Sequence, residues 1–244
     1  MTEAVLAIVV IAVGTALQAS LGFGLAMIAA PLLLLVNPVF VPGSLLAAAL
    51  LLCVWVAWQD RHAIDTGYFT ATITGRLLGT VPAMLLLGSI SALTFDIIFA
   101  VLVLLAVAMS LVHNTLQPTP RVIFVASIAA GFMGTISSIG GPPVALVYQN
   151  ANGASLRANL SVLFAIGALI SLVALTVIGR FGLADLWPTV VLLVGAVLGV
   201  MCSGPVKRRV ASGSARPWLL ALCCLSAGAV LLKAILSLQS AAVQ

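Results

Sequence analysis

Two apolar runs constrain this chain more than any other feature: residues 4–36 and 121–149, 33 and 29 residues long. About 20 helical residues cross a bilayer core, so each run is too long for one upright crossing and too short for two. Each has a weak point in its interior: Ser20-Leu21-Gly22-Phe23-Gly24 in the first, Ser137-Ser138-Ile139-Gly140-Gly141-Pro142-Pro143 in the second. Proline removes a backbone donor and glycine weakens a helix. Each run is therefore expected to form two half-helices that meet at a turn inside the membrane, rather than one long kinked helix.

The other apolar runs are of ordinary length: 39–58, 69–92, 95–112, 158–179, 186–204 and 217–238. With 63% hydrophobic and only 6% charged residues, the chain has too few polar groups to cover a soluble surface, and a bilayer removes that need. The lipid bilayer is thus its first partner. The segment 113–120, with Pro118 and Pro120, separates an N-terminal membrane repeat (1–112) from a C-terminal one (121–244). Each opens with a long run followed by three ordinary ones. The expected fold is an all-α integral membrane protein of two inverted repeats, each a re-entrant broken-helix hairpin followed by three transmembrane helices.

Charge placement agrees with this. If both long runs enter and leave on one side, Arg61, Arg121, Arg157, Lys207, Arg208, Arg209 and Arg216 share a face, against Arg180 and Lys233 opposite. If each long run crosses once, Arg61 and Arg121 change sides and the asymmetry nearly disappears. The positive-inside tendency favours the first arrangement, with both termini outside the cytoplasm and the protein in the cell inner membrane. The same placement argues that the net charge of +5 sets membrane orientation and does not form a nucleic-acid surface.

Irregular backbone at membrane depth persists only where protein buries it or a polar cavity receives it, so paired breaks point to a midplane solute site. Half-helix N-termini there suit an anion. The candidate solute-binding residues are Gln18, Ser20, Gly22 and Gly24 at the first break, and Ser137, Ser138, Gly140 and Gly141 at the second, with Thr135 nearby. Arg76, inside the third run, and Arg157, after the second hairpin, are candidate cations that either meet the solute or snorkel to the interface. Asn152, Asn159, Tyr148 and Gln149 are weaker candidates. Glu3, Asp60, Asp65, Asp96 and Asp185 fall near segment ends, so no obvious carboxylate relay stands at mid-membrane. His62 and His113 lie in connections, and the four cysteines have no metal-ligand spacing. No metal site, cofactor or catalytic set is expected, and the chain reads as a transporter, not an enzyme.

At Gly22-Phe23-Gly24 followed by Pro31-Leu32, and at Gly131-Phe132-Met133-Gly134 followed by Ser138-Ile139-Gly140-Gly141-Pro142-Pro143, the sequence resembles the TauE/SafE family of membrane permeases over nearly its whole length. The resemblance implies export of small sulfur-containing anions such as sulfite, sulfoacetate or thiosulfate. An anion channel, or a permease for another small organic anion, is the alternative. A homo-oligomer is left open.

Overall fold

The computed structural model describes residues 2–21, 25–112, 117–148, 153–203 and 216–242, without the side chains of 19–21, 153–154, 216–220 and 237–242. Among the described residues there is no strand. Ten helices follow in order: α1 (Thr2–Leu21), α2 (Leu25–Val36), α3 (Gly43–Gln59), α4 (Phe69–Ser89), α5 (Ala92–Leu111), α6 (Pro120–Ser137), α7 (Gly141–Val147), α8 (Gly153–Val177), α9 (Leu186–Met201) and α10 (Arg216–Ala242). Among the described residues five segments are long and apolar enough to cross a membrane: Thr66–Ser89, Ala92–Leu111, Pro120–Ser137, Ser155–Val177 and Leu183–Met201. Large apolar side chains such as Leu85, Val101, Val125, Val173 and Leu225 are exposed along their helices, as a lipid-facing surface requires. Trp58, at the end of α3, and Trp187, at the start of α9, are exposed at opposite ends of the molecule, the positions of interfacial anchors.

Local chemistry sets the helix starts. The Ser91 hydroxyl accepts the Thr94 N–H at 3.2 Å ahead of α5. Thr119 accepts the Val122 N–H at 3.3 Å ahead of α6, where Pro120 occupies the first position and loses no bond by lacking a donor.

Both long runs double back. The Asn37 amide, just past α2, donates to the Glu3 carboxylate at 2.9 Å, so the chain leaves the first pair of helices where it entered. Were α2 a continuation of α1, those residues would stand roughly 50 Å apart at 1.5 Å per residue. In the second pair, Val144, Val147 and Tyr148 of the α7 segment share an apolar cluster with Ile123 and Ala130 of α6. The arms are unequal: α1 and α6 have 20 and 18 residues, α2 and α7 only 12 and 7. In each run the two half-helices are one long arm and one short arm. The reason is visible at Pro142 and Pro143, which suit the first turn of a new helix and so place the break just ahead of themselves.

Polar contacts sort the helix ends into two groups. At one end Arg157 pairs with Asp60, Asn159 accepts the Asp65 N–H, and the Tyr68 hydroxyl donates to the Pro118 carbonyl. At the other, Arg180 donates to the Leu87 carbonyl and Ser44 to the Asp185 carbonyl. Arg180, Asp185, Asp96 and Lys233 line one recess there, of about 440 Å³.

Most of the close packing joins the two halves of the chain: α1 lies on α9, α4 on α6, α3 on α8 and α5 on α10. Exchanging each helix for the one five places along the chain maps these pairings onto one another. α1 with α9 becomes α6 with α4, α2 with α10 becomes α7 with α5, and α3 with α8 maps onto itself. A GxxxG pair underlies the two matching contacts: Gly75 and Gly79 on α4, and, 120 residues on, Gly195 and Gly199 on α9. A Cβ on Gly79 would overlap the Ile128 carbonyl of α6, and one on Gly195 would overlap the Ile11 side chain of α1. Lipid gives no hydrophobic drive for helix pairing, so this backbone contact supplies van der Waals packing that larger residues would exclude.

Gly79→Ala is accordingly expected to lower stability by about 1–3 kcal/mol through overpacking. Gly228→Ala, in α10 with open space around it, is expected to leave stability unchanged or slightly raised. Thermal unfolding of the two variants in detergent checks the contrast.

Candidate functional site

The second break is built by two serines with different tasks. Ser138 ends α6 in the left-handed conformation (φ 62°, ψ 2°), with its N–H still donating to the Gly134 carbonyl at 2.9 Å. That conformation costs a non-glycine residue about 1–2 kcal/mol, and the surroundings must hold it. The Ser138 hydroxyl donates to the Pro42 carbonyl at 3.0 Å, which ties the break to the start of α3 in the other half. Ser137 points elsewhere: its hydroxyl donates back to the Met133 carbonyl at 2.8 Å and accepts the Ile139 N–H at 3.3 Å. It seals the helix end.

At the first break Gln18 does the bridging. Its side-chain oxygen accepts the Leu25 N–H, the first of α2, at 3.3 Å, while its amide donates to the Cys53 sulfur of α3 at 3.4 Å. Ser20 lies in α1 with its side chain outside the described residues, and Gly22 and Gly24 lie outside them altogether.

The two breaks converge on one small cavity of about 60 Å³. Gln18 of α1, Ala26 and Met27 of α2, and Leu46, Ala49 and Cys53 of α3 form one side. Arg76 of α4, Gly134, the turn from Ser138 to Pro142, and Phe164 and Ala168 of α8 form the other. At a liquid share of about 30 Å³ per water, it has room for about two waters, the scale of a small oxyanion.

Arg76 dominates this cavity. It is only 3% exposed, so it does not snorkel. One terminal nitrogen donates to the Ala130 carbonyl of α6 at 2.8 Å, and its Nε is buried with no partner. Glycines make the room for it. A Cβ on Gly140 would stand 2.8 Å from the guanidinium and 2.7 Å from the Ala130 oxygen, one on Gly134 would stand 3.0 Å from it, and one on Gly167 would run into it. Among the described residues the ion pair is the one between Arg157 and Asp60, 3.2 Å apart and part-exposed at one end of the molecule. All five carboxylates of the chain stand away from the cavity: Glu3 meets Asn37, Asp60 meets Arg157, Asp65 caps a short turn at Gly67, and Asp96 and Asp185 line the recess beside Arg180. A guanidinium cannot be discharged in a protein. The site therefore offers a fixed positive charge with spare donors and no acidic partner.

The matching family model is that of the sulfite exporter TauE/SafE, over residues 6–230. The chain belongs to that family. It is a multi-pass membrane transporter of a family of permeases for sulfur compounds. No match was found among curated proteins or among solved structures.

Of the residues picked out in this TauE/SafE chain by sequence, Gln18, Arg76, Ser138, Gly140 and Gly141 come together at the cavity. Arg157 does not line it, and Asn159 is spent on Ser155 and on the Asp65 N–H. Thr135 is buried in a hydroxyl cluster with Thr80 and Ser171. Tyr148 packs at the end of α7, and Asn152 and Gln149 lie outside the described residues. The argument from half-helix N-termini also needs correction at α7, because Pro142 and Pro143 have no N–H to present. Cys53, Gly134, Phe164 and Gly167 are additions of the structure. Gly134 belongs to the second glycine motif, and Arg76, an arginine set next to a glycine in a GxxxG frame, hinted at the room around it.

Ser138→Ala is expected to cost about 1–2 kcal/mol, losing the Pro42 bond and keeping the left-handed strain. Ser138→Gly should cost less, because glycine enters that conformation freely. Denaturant or thermal unfolding in detergent ranks the two.

Proposed function

We propose that this chain exports a small sulfur-containing oxyanion, such as sulfite, sulfoacetate or thiosulfate, by alternating access around the cavity at Arg76. The observation that carries the reading is the buried guanidinium, which has no carboxylate partner among the described residues and stands where the two chain breaks converge. Charge in the membrane interior is costly unless compensated. A transported anion supplies the compensation, and the guanidinium's spare donors would hold its oxygens without a second full charge to trap it.

The architecture under this reading is two inverted repeats, residues 1–112 and 121–244, each a re-entrant hairpin followed by three crossings, in the cell inner membrane with both termini outside the cytoplasm. It is supported by the doubling back at Glu3 and Asn37, by the sorting of helix ends, and by the exchange symmetry of the packing. Access would alternate by rocking the packed pairs, α4 with α6 against α1 with α9, about the site between them.

The test is flux of labelled sulfite in proteoliposomes. Saturable flux that responds to an opposing gradient supports a permease, whereas flux that never saturates supports the channel. Arg76→Gln is expected to reduce flux at least tenfold, since it removes the one charge at the site. Gly140→Leu, which fills the space held by the guanidinium, is expected to abolish flux while the protein still inserts. Wild-type flux in either variant overturns the assignment of the site.

A further inference from the structure

We infer that the site selects its solute by charge and takes monoanions in preference to dianions, so that hydrogensulfite or a simple sulfonate, not sulfite dianion, thiosulfate or sulfoacetate, is the species bound. This rests on the proposed role of Arg76 and narrows it. Among the described residues the cavity has a single cationic side chain, Arg76, and the other polar side chains that line it are neutral: Gln18, Cys53 and Ser138. No lysine, second arginine or histidine among the described residues lines it.

The repeat symmetry sharpens the point. The position that matches Arg76 in the second GxxxG frame, between Gly195 and Gly199, is Ala196, buried and apolar. In this chain the symmetry is kept in the glycines and dropped in the charge. A monoanion beside Arg76 makes a neutral pair, with the unpartnered Nε as a further donor close by. A dianion leaves one uncompensated negative charge in an enclosed, low-dielectric space, and a buried unpaired charge is strongly disfavoured. The lining offers one further constraint of the same sign. Gly167 and Gly140 wall the guanidinium closely, so it cannot swing to share itself between two distant anionic groups such as those of sulfoacetate.

The experiment compares two tetrahedral probes of similar size and different charge, methanesulfonate and sulfate, by isothermal titration and thermal shift on the purified full chain in detergent. Methanesulfonate is expected to bind about tenfold or more tightly than sulfate, to raise the melting temperature, and to lose both effects in Arg76→Gln. Arg76→Lys, which keeps a single charge, is expected to retain the order of preference even at lower affinity, and it serves where Arg76→Gln does not fold. Sulfate binding as tightly as methanesulfonate overturns the charge selection while leaving an anion site at Arg76 intact. Binding of neither probe to the wild type, or methanesulfonate binding unchanged in Arg76→Gln, overturns the anion site itself and the charge selection with it.

Discussion

A guanidinium buried at membrane depth needs its donors met or its charge answered, and in this TauE/SafE chain Arg76 obtains only part of that from the protein. The Ala130 carbonyl takes one donor, Nε has none, and no carboxylate is at hand. The neighbouring architecture is arranged around the shortfall. Gly75 and Gly79 let α4 lie against the backbone of α6, which brings the guanidinium to the break, and Gly134, Gly140 and Gly167 leave the space it occupies. The break itself, with Ser138 held left-handed by a bond to Pro42, opens α6 at the level of that charge. Removing any one of these would leave either a charge in contact with packed side chains or a gap between helices, and both are costly in an interior packed to crystal density.

The same packing explains why the two halves of the chain cannot be regarded as separate bodies. Each GxxxG helix seats the long arm of the opposite half, α4 on α6 and α9 on α1, and α3 and α8 pair across the centre. A solute site between two such interleaved halves is bounded by both, as the placement of Gln18 and Ser138 on one cavity shows.

Much of this was legible in the sequence, and the rest was hidden for identifiable reasons. The breaks announced themselves, since Gly140-Gly141-Pro142-Pro143 cannot continue a helix, and the apolar runs fell close to the helices found. The unequal arms follow from where the breaks fall, since Gly22-Phe23-Gly24 and Gly140-Gly141-Pro142-Pro143 stand nearer the end of each run than its start. Arg76 and Arg157 were indistinguishable as letters. One faces a glycine-lined interior and the other meets Asp60, 97 residues away in sequence, and only tertiary contact separates them. The 120-residue GxxxG repeat was readable but is a frame of two glycines in an apolar chain, a pattern that carries weight only once the helices bearing it are seen to touch equivalent partners.

The Ser138 bond to Pro42 also connects the site to a path. Pro42 lines the recess that holds Arg180, Lys233, Asp96 and Asp185, while Ser138 lines the cavity that holds Arg76, so a hydrogen bond of 3.0 Å joins a residue of one space to a residue of the other. Under the proposed function, a solute that leaves toward that recess would pass beside this bond and could part it. The cost of doing so is offset in an unusual way: releasing Ser138 from Pro42 frees its backbone to leave the left-handed region, so strain is relieved as the bond is lost. The net cost is then smaller than for an ordinary buried hydrogen bond, and an anion that accepts the freed hydroxyl would lower it further. Under the proposed function, the strained residue is where solute binding at Arg76 and opening toward the recess would be coupled through a single side chain.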